Sequence, residues 1–137
     1  AAYSKLDARQ KEIFNFQWIS GALATYGYHT HRIPDNWLGA DFIARRMGSD
    51  EQLLVQLKSR VHFAKKYWGR NIWIAFRDGD VAYCYPHDEI LMAFQRINPI
   101  RIEKAWKRKG KPEVHWGNPT KLHRKLLEPY RIDLSLG

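Results

Sequence analysis

The spacing of apolar residues along the chain changes several times, and each change marks an element. Over residues 5–26, Leu6, Ile13, Phe16, Ile19 and Leu23 follow the spacing of an amphipathic helix. Tyr26-Gly27 is its stop, since glycine takes positive φ freely. Residues 28–33 predict a short strand and residues 34–39 a loop carrying Asp35 and Trp37. Residues 41–46 and 52–59 predict two strands joined by a turn at 47–50. Along the second strand Gln52, Leu54, Gln56 and Lys58 face one way, and Leu53, Val55 and Leu57 the other. Leu54 is apolar on the otherwise polar face. That predicts a strand covered on both sides, with Gln56 and Lys58 near its end over a cleft.

Residues 59–69 predict a helix, with Val61, Ala64 and Tyr67/Trp68 inward. Arg60, Lys65, Lys66 and Arg70 then lie outward, and His62 at the surface. Residues 71–77 and 81–85 predict a hairpin around Asp78-Gly79, ended by Pro86. Asp88 is placed to cap a helix over 89–96, whose Ile90, Leu91, Ala93 and Phe94 go to the core. Asn98-Pro99 breaks that helix. Residues 116–119 are turn-like. Thr120 caps a last helix over 121–127, with Leu122, Leu126 and Leu127 on one side, and Pro129 ends it. Helix, three-strand meander, helix, hairpin, helix predicts an α/β fold with a mixed sheet flanked by helices.

Composition narrows the class. The 137 residues fit one domain with its own core, and 45% hydrophobic content argues against disorder. No apolar run approaches the ~20 residues of a membrane span. Residues 1–11 hold no apolar segment of the kind a signal peptide needs. The one cysteine, Cys84, excludes an internal disulfide framework and suits a reducing, intracellular (cytoplasmic) setting. With 23 Lys and Arg against 14 acids, the net charge of +9 implies a polyanionic partner. Nucleic acid comes first and an acidic membrane second. Ten of the cations lie between Arg96 and Lys125, against Glu103 and Glu113 alone. The run Lys107, Arg108, Lys109, Gly110, Lys111 is a basic loop. With Trp106 and Trp116 it can bind phosphates and stack on bases, or it is a solvated loop on a packed tail. Arg60, Lys65 and Lys66 can likewise meet a phosphate backbone or simply be solvated. Six Trp and seven Tyr keep RNA open as the target.

The candidate chemistry lies between Asp41 and Lys58. Pairing the two strands across the turn brings Asp41 to the end that carries Gln56 and Lys58. A carboxylate and a neutral oxygen suit Mg²⁺, which takes few protein oxygens and keeps several waters. An amine two residues further on the same face can orient or deprotonate water. Glu12 sits at the rim of the first helix's apolar stripe. It can reach the top of a sheet, or be an ordinary exposed glutamate. His29 and His31 form an HxH, but no further Cys or His completes a zinc set. No glycine-rich phosphate loop and no Ser-His-Asp motif is visible.

Asp41, fourteen intervening residues and Gln56-Leu57-Lys58 resemble the signature of the PD-(D/E)XK nucleases. The closest likeness is to the Mrr-type and Holliday-junction-resolvase-like branch. Glu12 in the first helix, Gly39-Ala40-Asp41 and Gln56-Leu57-Lys58-Ser59 carry the resemblance, over roughly residues 8–92. It implies a restriction-endonuclease-like core over residues 1–98, with residues 99–137 as a basic extension packed on the same domain. It also implies metal-dependent hydrolysis of DNA phosphodiesters, leaving 5′-phosphates. Asp41, the Gln56 side-chain oxygen and the Leu57 carbonyl would hold Mg²⁺, or Mn²⁺ in its place, and Glu12 would bind a second metal or a metal-bound water. Lys58 would activate or position the water. The partner would be duplex or branched DNA, engaged by a homodimer. Most of the superfamily has an acid where this chain has Gln56, which costs the site a charge. The alternative is therefore an inactive nucleic-acid-binding module of the same fold.

Overall fold

The computed structural model describes residues 2–34 and 39–134. Asp35 and Trp37 lie outside the described residues. Helix α1 spans Ala8–Ala24. It starts where the Asp7 carboxylate accepts from the Gln10 N–H at 2.8 Å and the Gln10 side chain accepts from the Asp7 N–H at 2.9 Å. Gly27, at φ 90°, ends the turn that follows. Ile19, Ala22 and Leu23 are buried, but Ile13 is 42% exposed, against expectation. At 3.6 residues per turn Ile13 lies about 120° round the helix from Ile19, off the covered face.

Three antiparallel strands follow as a meander: β1 (Tyr28–Arg32), β2 (Phe42–Arg46) and β3 (Gln52–Leu57). β3 then pairs in parallel with β5 (Ile72–Asp78), which turns back through Gly79 into β6 (Val81–Pro86). A two-residue β8 (Arg131–Ile132) closes the edge, giving the order β1-β2-β3-β5-β6-β8. The mixed sheet expected from sequence is present, and so is the hairpin.

Each face of this sheet carries a core. Leu53, Val55 and Leu57 pack with Phe42, Ala75, Ala82 and Cys84 under α1. Leu54, Ile72, Ile74, Phe76 and Tyr85 face a second cluster. That cluster is built with α2 (His87–Ile97), α3 (Pro99–Trp106) and α4 (Lys121–Leu127). The doubly covered β3 read from Leu54 is what the chain forms. Cys84 is buried, which pushes its thiol up to about 12 and makes it inert.

The segment after β3 is not the helix that its spacing suggests. Residues Val61–Ala64 form β4, paired antiparallel with β7 (Glu113–Trp116), and one 3₁₀ turn at Lys65–Tyr67 follows. Val61, Ala64 and Tyr67 are buried as a helix would have them. A four-residue strand and one tight turn reproduce that spacing, and so short a run does not separate the two periods. Two side chains change place as a result. His62 is buried and Trp68 is half exposed.

The edge of β4 away from β7 meets side chains rather than another strand. The Tyr85 hydroxyl accepts from the His62 N–H at 2.9 Å and donates to the His62 carbonyl at 2.8 Å. Two residues on, His87 Nε2 accepts from the Ala64 N–H at 3.0 Å. His87 is therefore neutral, with its proton on Nδ1, which donates to Asp88 Oδ1 at 2.7 Å. Asp88 does not cap α2, as its position suggested. It lies in the first turn, and its other oxygen accepts from the Gly69 N–H at 2.9 Å.

The last third is more regular than its charge suggests. Pro99 opens α3, an eight-residue helix that the density of cations concealed. Thr120 caps α4 as expected, accepting from the His123 N–H. Ile102, Ala105, Val114, Trp116 and Leu127 are buried in the same cluster as β4. Among the described residues no helix is long and apolar enough to cross a membrane.

Tyr85→Phe should lower stability by about 2 kcal/mol or more, because it orphans two buried backbone groups of His62. Urea unfolding measures this, and an unchanged midpoint would contradict the bridging role. A pH effect follows from the two imidazoles. Burial holds both below the ordinary 6.5, His62 at about 3. The unfolded chain takes up these protons near pH 6.5 and the folded chain resists. Stability is thus complete above that pH and falls as pH drops towards 3. The urea midpoint should fall between pH 7 and pH 5, and by less in His62→Gln.

Candidate active site

β2 and β3 run antiparallel with Phe42 opposite Val55. That register carries Asp41 to the end of β3, where its N–H donates to the Val55 carbonyl at 2.8 Å. The Asp41 side chain turns to the next residues. Its Oδ2 accepts from the Leu57 N–H at 2.8 Å. The Lys58 N–H extends the pairing to β5, donating to the Ala75 carbonyl at 2.9 Å. Asp41, Gln56, Leu57 and Lys58 are therefore brought together by strand register and not by side-chain chance.

Gln56 and Lys58 open into a cavity of about 470 Å³, lined also by Gly39, Lys66, Tyr67 and Arg70. Tyr67 is its buried aromatic wall. The Lys58 Nζ lies 5.7 Å and the Lys66 Nζ 5.3 Å from the centre of that ring. Three cations thus line one pocket. Lys58 is half-buried, and its pKa is lowered by burial first and then by Lys66. Asp41 is shifted the other way. Burial raises its pKa most, the Leu57 hydrogen bond opposes that, and the Glu12 carboxylate adds to the rise.

Glu12 does not enter this cavity. It pairs with Arg32 at 3.2 Å and lines a separate depression with Lys11, Asn15 and Leu57. Lys58 lines both, so it forms the wall between them. Glu12 acts on Asp41 through its field, and no contact between the two is made. Among the described residues no three His, Cys, Asp or Glu side chains gather at one metal position. His29 and His31 stack edge to face at 5.0 Å on the exposed strand β1.

Sequence reasoning missed Tyr67 and Arg70 as pocket residues, because both follow the strand that was read as a helix. It also missed Glu113. This acid of β7 acts on Lys58 and Tyr67, and its Oε2 lies 3.6 Å from His62 Nε2. That approach is not an ion pair. Burial first, and then the charges of Lys58 and Lys66, keep His62 neutral, and its Nε2 makes no hydrogen bond among the described residues.

The cations expected to meet nucleic acid divide into groups. Lys66 lines the cavity, and Lys111 is near enough to lower the pKa of Lys58. Arg60 reaches towards Gly117 in a second depression, with Ser59 and Arg124. Lys107 is tied to Glu103 at 2.9 Å. Arg108 and Lys109 are exposed in the loop after α3. Trp116, read as a base-stacking group, is buried against Phe63 and Phe94, with Arg101 at 4.2 Å over its ring. It packs the core and has no face to offer a base.

Comparison with protein-family models, curated proteins and solved structures finds no match.

The closeness of Lys66 to Lys58 has a direct test. Lys66→Ala removes a like charge, so the Lys58 pKa should rise. A ¹³C-lysine NMR titration reads this without any substrate. A Lys58 titration unchanged by the substitution would contradict a shared pocket.

Proposed function

We propose that the protein is a metal-dependent nuclease that hydrolyses DNA phosphodiesters, on a core of the restriction-endonuclease-like kind. The observation that carries this reading is the Asp41 carboxylate bonded to the Leu57 N–H, between Gln56 and Lys58, which line a pocket together with Lys66 and Arg70. The donor set suits a hard cation. Leu57 uses one oxygen of Asp41 and leaves Oδ1, and burial with Glu12 nearby makes that carboxylate favour a positive partner. Asp41, the Gln56 oxygen and the Leu57 carbonyl would hold Mg²⁺, with Mn²⁺ as substitute. Bound there, the ion would polarise the phosphate and lower the pKa of water.

The chain's own groups supply the rest. Lys66 and Arg70 fit the non-bridging oxygens of the phosphate. Lys58, its pKa lowered, holds the attacking water and is more often neutral than an ordinary lysine, hence free to accept its proton. Water oxygen bonds to phosphorus as Lys58 takes its proton, the P–O bond to the departing sugar oxygen breaks, and that oxygen takes a proton from solvent while Lys58 returns its own to solvent. The 5′-phosphate product follows from the family resemblance. Cutting both strands of a duplex with one site per chain needs two copies, so a homodimer belongs to this reading.

One observation favours a second reading, a binding module without chemistry. Among the described residues Asp41 is the only carboxylate bonded into the site, and Glu12 is held by Arg32. Supercoiled plasmid separates the two. With Mg²⁺ or Mn²⁺ the wild type should nick or linearise it, EDTA should stop the reaction, and Asp41→Ala and Lys58→Ala should each lower the rate about 100-fold or more. Gel shifts that persist in EDTA, with no cutting of plasmid or branched DNA, would leave the binding module.

A further inference from the structure

Beside the cation-lined pocket lies a larger cleft of about 650 Å³, and the function proposed above does not use it. Trp68, Trp106, Leu91, Pro99 and Ile102 make it apolar. Lys65, Lys107, Gln95 and Glu103 give it polar groups. Trp68 is 50% exposed, and with Trp106 it lines one cleft, so two indoles border the same opening. Glu103 and Lys107 neutralise each other, whereas Lys65 makes no ion pair among the described residues. The cleft therefore combines two indoles, one uncompensated cation and an amide.

The two cavities are continuous in the chain. The turn Lys65–Tyr67 and the next residue serve both, with Lys66 and Tyr67 lining the phosphate pocket and Lys65 and Trp68 the cleft. Lys66 and Trp68 are two residues apart in the chain, so one bound strand running along this turn can meet both. We propose that this cleft is a subsite for an unpaired base of a single DNA strand. It rests on the reading that the protein binds nucleic acid. The base stacks on Trp68 and Trp106, Gln95 offers hydrogen bonds to its edge, and Lys65 meets its phosphate. A base paired inside a duplex presents no free face, so the subsite selects single-stranded or frayed DNA. An apolar small molecule would need no cation, and the overall charge of +9 favours a polyanion.

The test is fluorescence anisotropy in EDTA, with a labelled twelve-nucleotide single strand and a blunt duplex of the same sequence. Trp68→Ala should weaken the single strand by about 5- to 150-fold, the range for loss of one stacked base, and the blunt duplex by less than about twofold. Trp68→Phe should keep most of the single-strand affinity. In the wild type, a 2-aminopurine in the single strand should be quenched on binding, which needs no variant. Equal weakening of both DNA forms, no weakening of either, or no single-strand binding would overturn the subsite. The nuclease reading fails separately. Selective loss in Trp68→Ala without metal-dependent cutting leaves the subsite standing. Cutting abolished by Lys58→Ala, with single-strand affinity untouched by Trp68→Ala, removes the subsite alone.

Discussion

The structure depends on how the chain is held as it leaves β3. Residues 58–71 must cross from one strand to its parallel neighbour, and no helix makes that crossing. A fully buried four-residue strand does, and among the described residues one of its edges has no strand beside it. Tyr85 and His87 satisfy that edge, the first by bonding both backbone groups of His62 and the second by accepting from Ala64. All three bonds are buried, so leaving the groups unpaired would cost more than the bonds themselves contribute. They fix where Lys58 ends and where Lys66, Tyr67 and Arg70 begin. The cavity has its shape because β6 reaches over to hold β4.

The same arrangement sets the charges. Lys58 and Asp41 are both partly removed from water, and each is shifted towards its neutral form. Their neighbours accentuate this, with Lys66 beside one and Glu12 beside the other. The result is an acid that favours a cation and an amine closer than usual to acting as a base. Gln56 lines the same cavity as Lys58 without adding charge. Glu12 contributes at a distance, through its charge, while it is paired with Arg32.

Much of this was legible in the chain. Alternation along β3 gave its two covered faces, and turn residues gave the meander and hairpin, so Asp41, Gln56 and Lys58 could be placed together from register alone. What failed was local ambiguity. Val61, Ala64 and Tyr67 satisfy a helix and a strand-plus-turn equally well, and the choice depends on Tyr85 and His87, over twenty residues away. Every missed pocket residue follows from that one segment or from β7, its partner. Trp68 and Trp116 are two indoles with nothing local to distinguish them. Only the packing decides that Trp116 fills the core and Trp68 stands at a cleft. The cations after Arg96 hid α3, because its apolar stripe is only Ile102 and Ala105.

The central claim is that Asp41 and Gln56 form the cation seat of a phosphodiester site. Mn²⁺ binding followed by electron paramagnetic resonance tests it without substrate or turnover. The account predicts one bound Mn²⁺ per site, lost in Asp41→Ala and tightened in Gln56→Glu, which restores a negative charge. No binding, or binding indifferent to both substitutions, would contradict it.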